Sequence, residues 1–229
     1  MNIISRVQKK IYRTLKEKKE GRQFSKNVEL VKKLSDKSDI SRKYIIDCGF
    51  NEGVVAEKLL CELNGFSLRG FEVQQDLGEF ADRLKKKYID RDIDVIFSAV
   101  SNATGTIKYF EPESWGKNYK GSTTVVENKR AMGRGYLNPK FTPAINFGEW
   151  ISENFRMNDF LFVKMDIEGA EYDVLNSIMN DGSIDLIDVL AVEWHADKFE
   201  EPQSTKYREI EKRIKAYSEN HEITVLDWY

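Results

Sequence analysis

Tyr44-Ile-Ile-Asp-Cys-Gly-Phe-Asn-Glu-Gly53 joins a short apolar run to a turn built on glycines. Residues 54–63, which follow, carry apolar side chains at helical spacing. A strand, a glycine turn and a helix in that order open a βαβ unit, and the rest of the chain repeats the alternation. Strands are expected at 67–72, 93–100, 160–165, 188–193 and 222–226, with an edge strand at 106–110. Helices are expected at 77–88, 170–179 and 204–218. Such alternation requires a mostly parallel sheet covered by helices on both faces, an open Rossmann-like α/β domain.

Outward from this core the chain changes character twice. Residues 1–40 read as one or two helices, with Ile3, Ile4, Val7, Ile11 and Leu15 at helical spacing. They are basic, through Arg6, Lys9, Lys10, Arg13, Lys16, Lys18, Lys19, Arg22, Lys26, Lys32 and Lys33. This segment is set apart as an N-terminal extension, and residues 41–229 as the α/β domain. A solvated helix accounts for the charge; contact with an anionic surface is the other reading. Residues 111–143 lack periodicity and hold most of the prolines, with Trp115, Tyr119, Tyr136 and Phe141 among them. An irregular stretch of this length inside a domain is expected to be a flap over the site.

Composition narrows the function classes. With 229 residues the chain makes one sizeable domain, and 41% hydrophobic with 32% charged content describes a globular protein. A net charge of −2 argues against nucleic-acid partners. No apolar run reaches the roughly 20 residues of a membrane span, and the start lacks the apolar stretch of a secretory leader. Cys48 and Cys61 are too few, even with His195 and His221, for a structural zinc site. A reducing, cytoplasmic setting is expected.

Five features carry chemistry. In the first, Asp47, Gly49, Asn51 and Gly53 surround a turn where glycine lets a backbone approach a ligand closely. The spacing is not that of a dinucleotide fingerprint, and the acid before the first glycine suits a positive sulfonium better than a pyrophosphate. Glu72, about twenty residues on and at a strand end, can accept from the ribose hydroxyls of an adenosine cofactor. Ser98 and Ala99, at the end of the third strand, are placed to flank an adenine. The strongest feature is Lys164-Met-Asp-Ile-Glu-Gly-Ala-Glu171, which crowds Asp166, Glu168 and Glu171 beyond a buried strand. Like charges so close are costly unless they meet a cation, a hydroxyl or a backbone amide, and Glu171 alternatively caps the next helix. The fifth feature is Glu193-Trp-His195, where alternation turns Glu193 and His195 to one side, toward Asp166. There His195 or Asp166 is available as a base, Lys164 as an electrostatic aid, and Asp166, Glu193 and His195 as ligands of Mg²⁺ or Mn²⁺.

Together these features resemble the FkbM-like family of S-adenosylmethionine-dependent methyltransferases over about residues 44–195. The most specific match is Val163-Lys-Met-Asp-Ile-Glu-Gly-Ala-Glu171. Asp47-Cys-Gly-Phe-Asn-Glu-Gly53, Gly70-Phe-Glu72, Ala99-Val-Ser101 with Gly105, and Glu193-Trp-His195 support it. Cys48 and Phe50 depart from the aliphatic residue and alanine usual in the family. The resemblance implies a class I methyltransferase fold with a seven-stranded type of sheet, S-adenosylmethionine as donor, and methylation of a hydroxyl on a sugar, a glycan or a polyketide-like molecule. Three rivals are weighed against it. A nicotinamide oxidoreductase is disfavoured by Asp47, and an RNA ribose 2′-O-methyltransferase by the missing second lysine. A non-catalytic adenosine-binding module would have no need of the acids after residue 165.

Overall fold

The computed structural model describes residues 3–36, 40–112, 122–127 and 138–228, with side chains from residue 17 onward. In chain order the elements are α1 (Ile3–Ser35), β1 (Arg42–Cys48), α2 (Val54–Glu62), β2 (Phe66–Phe71), α3 (Gly78–Lys87), β3 (Ile93–Ile96), β4 (Ala99–Ser101) and β5 (Gly105–Tyr109). They continue through β6 (Lys140–Asn146), α4 (Phe147–Asn154), β7 (Asp159–Met165), α5 (Glu171–Asp181), β8 (Val189–Val192), α6 (Gln203–Ser218) and β9 (Thr224–Asp227). The main sheet has the order β3-β2-β1-β7-β8-β9, and every pairing in it is parallel.

Alternation along the central strands builds two helical layers. Ile46, Cys48, Leu161, Val163, Leu190 and Val192 face α4, α5 and α6, where Phe147, Ile151, Tyr172, Leu175, Ile178 and Ile214 meet them. Ile45, Leu68, Phe160, Phe162, Val189 and Ala191 face the other way, onto Ala56, Leu59 and Leu60 of α2 and Ala81 and Leu84 of α3. Burial on both faces is why these strands read as nearly unbroken apolar runs. Val28 and Val31 of α1 join the second layer, and Phe24 meets the edge of Trp228 at 6.0 Å. The last turns of α1 are therefore part of the domain core, and the boundary expected near residue 40 falls beyond them.

Two expectations about strands are corrected. The sheet has six strands among the described residues, not seven. The strand expected over 93–100 divides: β3 stops at Ile96, and β4 leaves for a separate sheet of order β4-β6-β5. The Ser98 hydroxyl holds the exit by donating to the Pro143 carbonyl at 2.8 Å. Neither β6 nor α4 is evident from periodicity, because Pro143 occupies the middle of β6 opposite Thr106, where a residue without an N–H argues against a strand.

Candidate active site

The chain order reverses between β1 and β7, and in open α/β sheets a ligand crevice lies at such a switch point, beyond the strands' carboxyl ends. Two turns meet there almost backbone to backbone. The Asp166 amide donates to the Cys48 carbonyl at 3.0 Å. Gly49 has φ 88°, and a Cβ on it would lie 2.0 Å from the Asp166 carbonyl oxygen. Gly65 has φ 78° with nothing within 4 Å of such a Cβ. Gly49→Ala is therefore expected to cost at least about 3 kcal/mol, against about 1 kcal/mol for Gly65→Ala, where only the left-handed backbone is penalised. Equal losses in urea unfolding would show that the two turns are not in contact.

Phe50 is a packing residue of this turn. Its ring is 2% exposed and fills space left by two glycines, since a Cβ at Gly53 or Gly70 would come within 2.5 or 2.9 Å of it. Beyond it, Asn51 takes φ 51°, and its amide donates to Glu72 Oε2 at 2.7 Å. Glu72 Oε1 accepts from the amides of Val73 at 2.8 Å and Gln74 at 2.9 Å. Both lone pairs of Oε1 are thus engaged, while Oε2 keeps one for a hydroxyl. Burial raises the Glu72 pKa and the three amides oppose it. Asn51 Oδ1 is buried without a hydrogen-bond partner.

These groups border a cavity of 320 Å³, in the range of small-molecule sites. Its walls include Gly49, Asn51, Glu72, Ser98, Ala99, Lys164, Asp166 and Glu168, and Ser122, Thr123 and Val125 close one side. This last segment is fixed by a bridge between Phe110 and Thr124 and by the Thr124 hydroxyl, which donates to the Glu168 carbonyl at 2.8 Å. Of the expected flap, Trp115, Tyr119 and Tyr136 lie outside the described residues. Phe141 lies in β6 and is exposed.

Asp47 and Gly53, expected among cofactor contacts, are not on this wall. Asp47 is wholly enclosed and faces Lys164 Nζ at 3.1 Å. Lys164 in turn donates to the Gly49 carbonyl at 3.0 Å and lies 3.5 Å from Asp166 Oδ2. Burial alone favours the neutral amine, but Asp47 and Asp166 raise its pKa and hold it as a cation. Asp47, Asp166 and the Gly49 carbonyl thus surround the Lys164 ammonium, which stands on the cavity wall beside Asp166.

A sharp turn brings the acids together. Glu168 with φ 57° and Gly169 with φ 112° are both left-handed, and a Cβ on Gly169 would lie 2.5 Å from the Phe199 ring. The bend turns Glu168 inward, where it pairs with Lys198 at 2.9 Å. Glu171, fully buried, does not cap the helix in the ordinary way. Its Oε2 accepts from the Gly169 amide at 2.8 Å, and its Oε1 lies 2.9 Å from His195 Nδ1. Tyr172 completes the support, its hydroxyl accepting from the His195 amide at 2.8 Å. His195 Nε2 then faces Glu168 Oε2 at 3.5 Å, Glu193 Oε1 at 3.7 Å and Asp166 Oδ1 at 3.8 Å. Burial lowers the His195 pKa, but the bond to Glu171 and the surrounding acids raise it further. Burial and repulsion from Asp166 push the Glu193 carboxyl up to about 7.

Asp166, Glu193 and His195 are thus brought to one corner, and Asp166 is also on the cavity wall. Among the described residues, Asp166, Glu168 and His195 each offer a donor atom within 4.8 Å of the others, and Glu193, expected in that set, stands beside them with Oε1 3.7 Å from His195 Nε2. Glu171 as the partner of His195 was not foreseen. The spacing of 24 residues between them carries no local signal, although the burial of an acid beside a strand-end histidine does.

A parallel sheet whose switch-point crevice joins a glycine turn and a strand-end acid to a corner of acids and one histidine is a Rossmann-like α/β domain. Residues 47–223 match the model of the methyltransferase FkbM domain, and the chain belongs to this family of methyltransferases. The crystal structure of methyltransferase FkbM from Methylobacillus flagellatus KT is similar at 17% identity and a TM-score of 0.47, over 78% of this chain. The matched part is 37% of that protein's length. No curated protein matches the chain. No helix among the described residues is long and apolar enough to cross a membrane.

Proposed function

We propose that the protein is an S-adenosylmethionine-dependent O-methyltransferase acting on a hydroxyl of a sugar or glycan. The observation that carries this reading is the double membership of Asp166, which lines the cavity with Asn51 and Glu72 and also faces His195. A donor held on one side and a hydroxyl on the other would meet at that carboxylate. The cavity's residues suit such a donor: Glu72 Oε2 keeps a lone pair for a ribose hydroxyl, Asn51 Oδ1 is a buried acceptor without a donor, and Ser98 and Ala99 offer a small wall. When bound, S-adenosylmethionine supplies a methyl group on a positively charged sulfur. Asp166 and Glu168 favour positive charge beside them. As the new O–CH₃ bond forms and the C–S bond breaks, the hydroxyl proton leaves to the Asp166–Glu193–His195 corner. Holding both reactants in line supplies much of the rate.

Calorimetric titration tests the donor. S-adenosylmethionine and S-adenosylhomocysteine are expected to bind at micromolar concentration while NAD gives no heat. Glu72→Ala is expected to weaken both by about tenfold or more, as loss of a charged hydrogen-bond partner does. Heat from NAD alone would return the cavity to a nicotinamide cofactor.

A further inference from the structure

One polar atom in the acid corner is left over. His195 is 1% exposed, yet Nε2 makes no hydrogen bond. Buried nitrogens are seldom left unpaired, because desolvation is then uncompensated. The ring cannot turn to correct this, since Glu171 holds Nδ1 at 2.9 Å and is itself tied to the Gly169 amide. With Nδ1–H donated to Glu171, the neutral ring turns its Nε2 lone pair toward Asp166, Glu168 and Glu193.

We infer that Asp166, Glu168 and His195 form a binding site for a divalent cation of the Mg²⁺ or Mn²⁺ kind, with Glu193 beside it. The three donor atoms lie within 4.8 Å of one another. Neighbouring ligands in an octahedral shell with bonds of about 2.1 Å stand about 3.0 Å apart, and opposite ones about 4.2 Å. The observed separations of 3.5 Å to Glu168 and 3.8 Å to Asp166 fall between these values, so small side-chain rotations suffice. Two carboxylates and one imidazole form a donor set for Mg²⁺ or Mn²⁺ more than for a thiophilic metal. A carboxylate behind the histidine fixes the tautomer, as is usual around bound metals. Three carboxylates converge on Nε2, and negative charge gathered at one point favours a cation there.

The role of the cation rests on the hydroxyl-methylating reading; its binding does not. Its open coordination positions would take the acceptor oxygen and lower the pKa of that hydroxyl. Mn²⁺ titration of the purified full chain without methyl donor, followed by water-proton relaxation, tests the site. One saturable site displaced by Mg²⁺ is expected. Glu168→Gln and His195→Gln should weaken it by about tenfold or more, with Glu193→Gln changing it far less; melting curves for each variant establish that it is folded. Absence of saturable Mn²⁺ binding by the unaltered protein at millimolar concentration overturns the site, as does unchanged binding in folded Glu168→Gln. Failure to bind S-adenosylmethionine with the Mn²⁺ site intact would remove only the donor reading.

Discussion

His195→Gln is expected to lower turnover of a hydroxyl acceptor by about 10²–10⁴-fold, the range for loss of a group acting on the transferred proton. S-adenosylmethionine affinity should stay within about threefold, because nothing the variant removes touches the cofactor half. The half proposed for the cofactor is Gly49, Asn51 and Glu72 with the amides of Val73 and Gln74, and His195 lies on the far side of Asp166. Glutamine is the substitution of choice because alanine would leave Glu171 buried with an unmatched carboxylate oxygen. Glu171→Gln provides the companion measurement. It keeps the shape, loses the charge behind Nδ1, and should lower turnover by about 10–100-fold, the usual effect of removing an orienting carboxylate. Initial rates on a panel of sugars with radiolabelled donor read both variants. Full turnover in His195→Gln on an acceptor that the unaltered protein methylates would remove this corner from the reaction.

Much of this site could be read along the chain because its parts stand at strand ends, where sequence pattern is strong. The runs ending at Phe71, Met165 and Val192 are each followed at once by an acid, Glu72, Asp166 and Glu193, and the run ending at Cys48 by the Gly49 turn. What pattern cannot supply is direction in the turns. Asp47 and Lys164 are both strand residues beside site residues, and both looked like site groups. Register pairs them with each other, and the pair spends its charge inside the sheet. Glu168 looked less important than Glu193 until the left-handed bend at Glu168 and Gly169 turned it toward His195. The α4 start did carry a signal. Asn146 accepts from the Gly148 and Glu149 amides, and an Asn followed three residues later by Glu is a recognised helix opening. Pro143 masked the strand before it, and with it the element that holds Ser98 at the cavity.

Lys164→Met should destabilise the protein by about 3–5 kcal/mol, the cost of leaving a buried charge without its partner. Lys164 and Asp47 are directly opposed on β7 and β1, with side-chain exposures of 2% and 0%, so water cannot replace the missing ammonium. For a domain of this size the loss corresponds to a fall in melting temperature of roughly 10 °C or more. The double variant Asp47→Asn, Lys164→Met should recover at least half of it, since a buried ion pair replaced on both sides is often nearly neutral. The pH dependence of the single variant gives a second reading. Burial raises the Asp47 pKa, and Lys164 is the main group opposing that rise. Without Lys164 the native state binds a proton that the unfolded chain releases, so stability falls as pH rises between the two pKa values. The deficit of Lys164→Met should therefore shrink as pH is lowered from 8 toward 5, and the double variant should show no such recovery. A single variant as stable as the parent, or a deficit indifferent to pH, would mean that Asp47 carries no charge in the folded protein; Asp166 would then be held in place by something other than this pair.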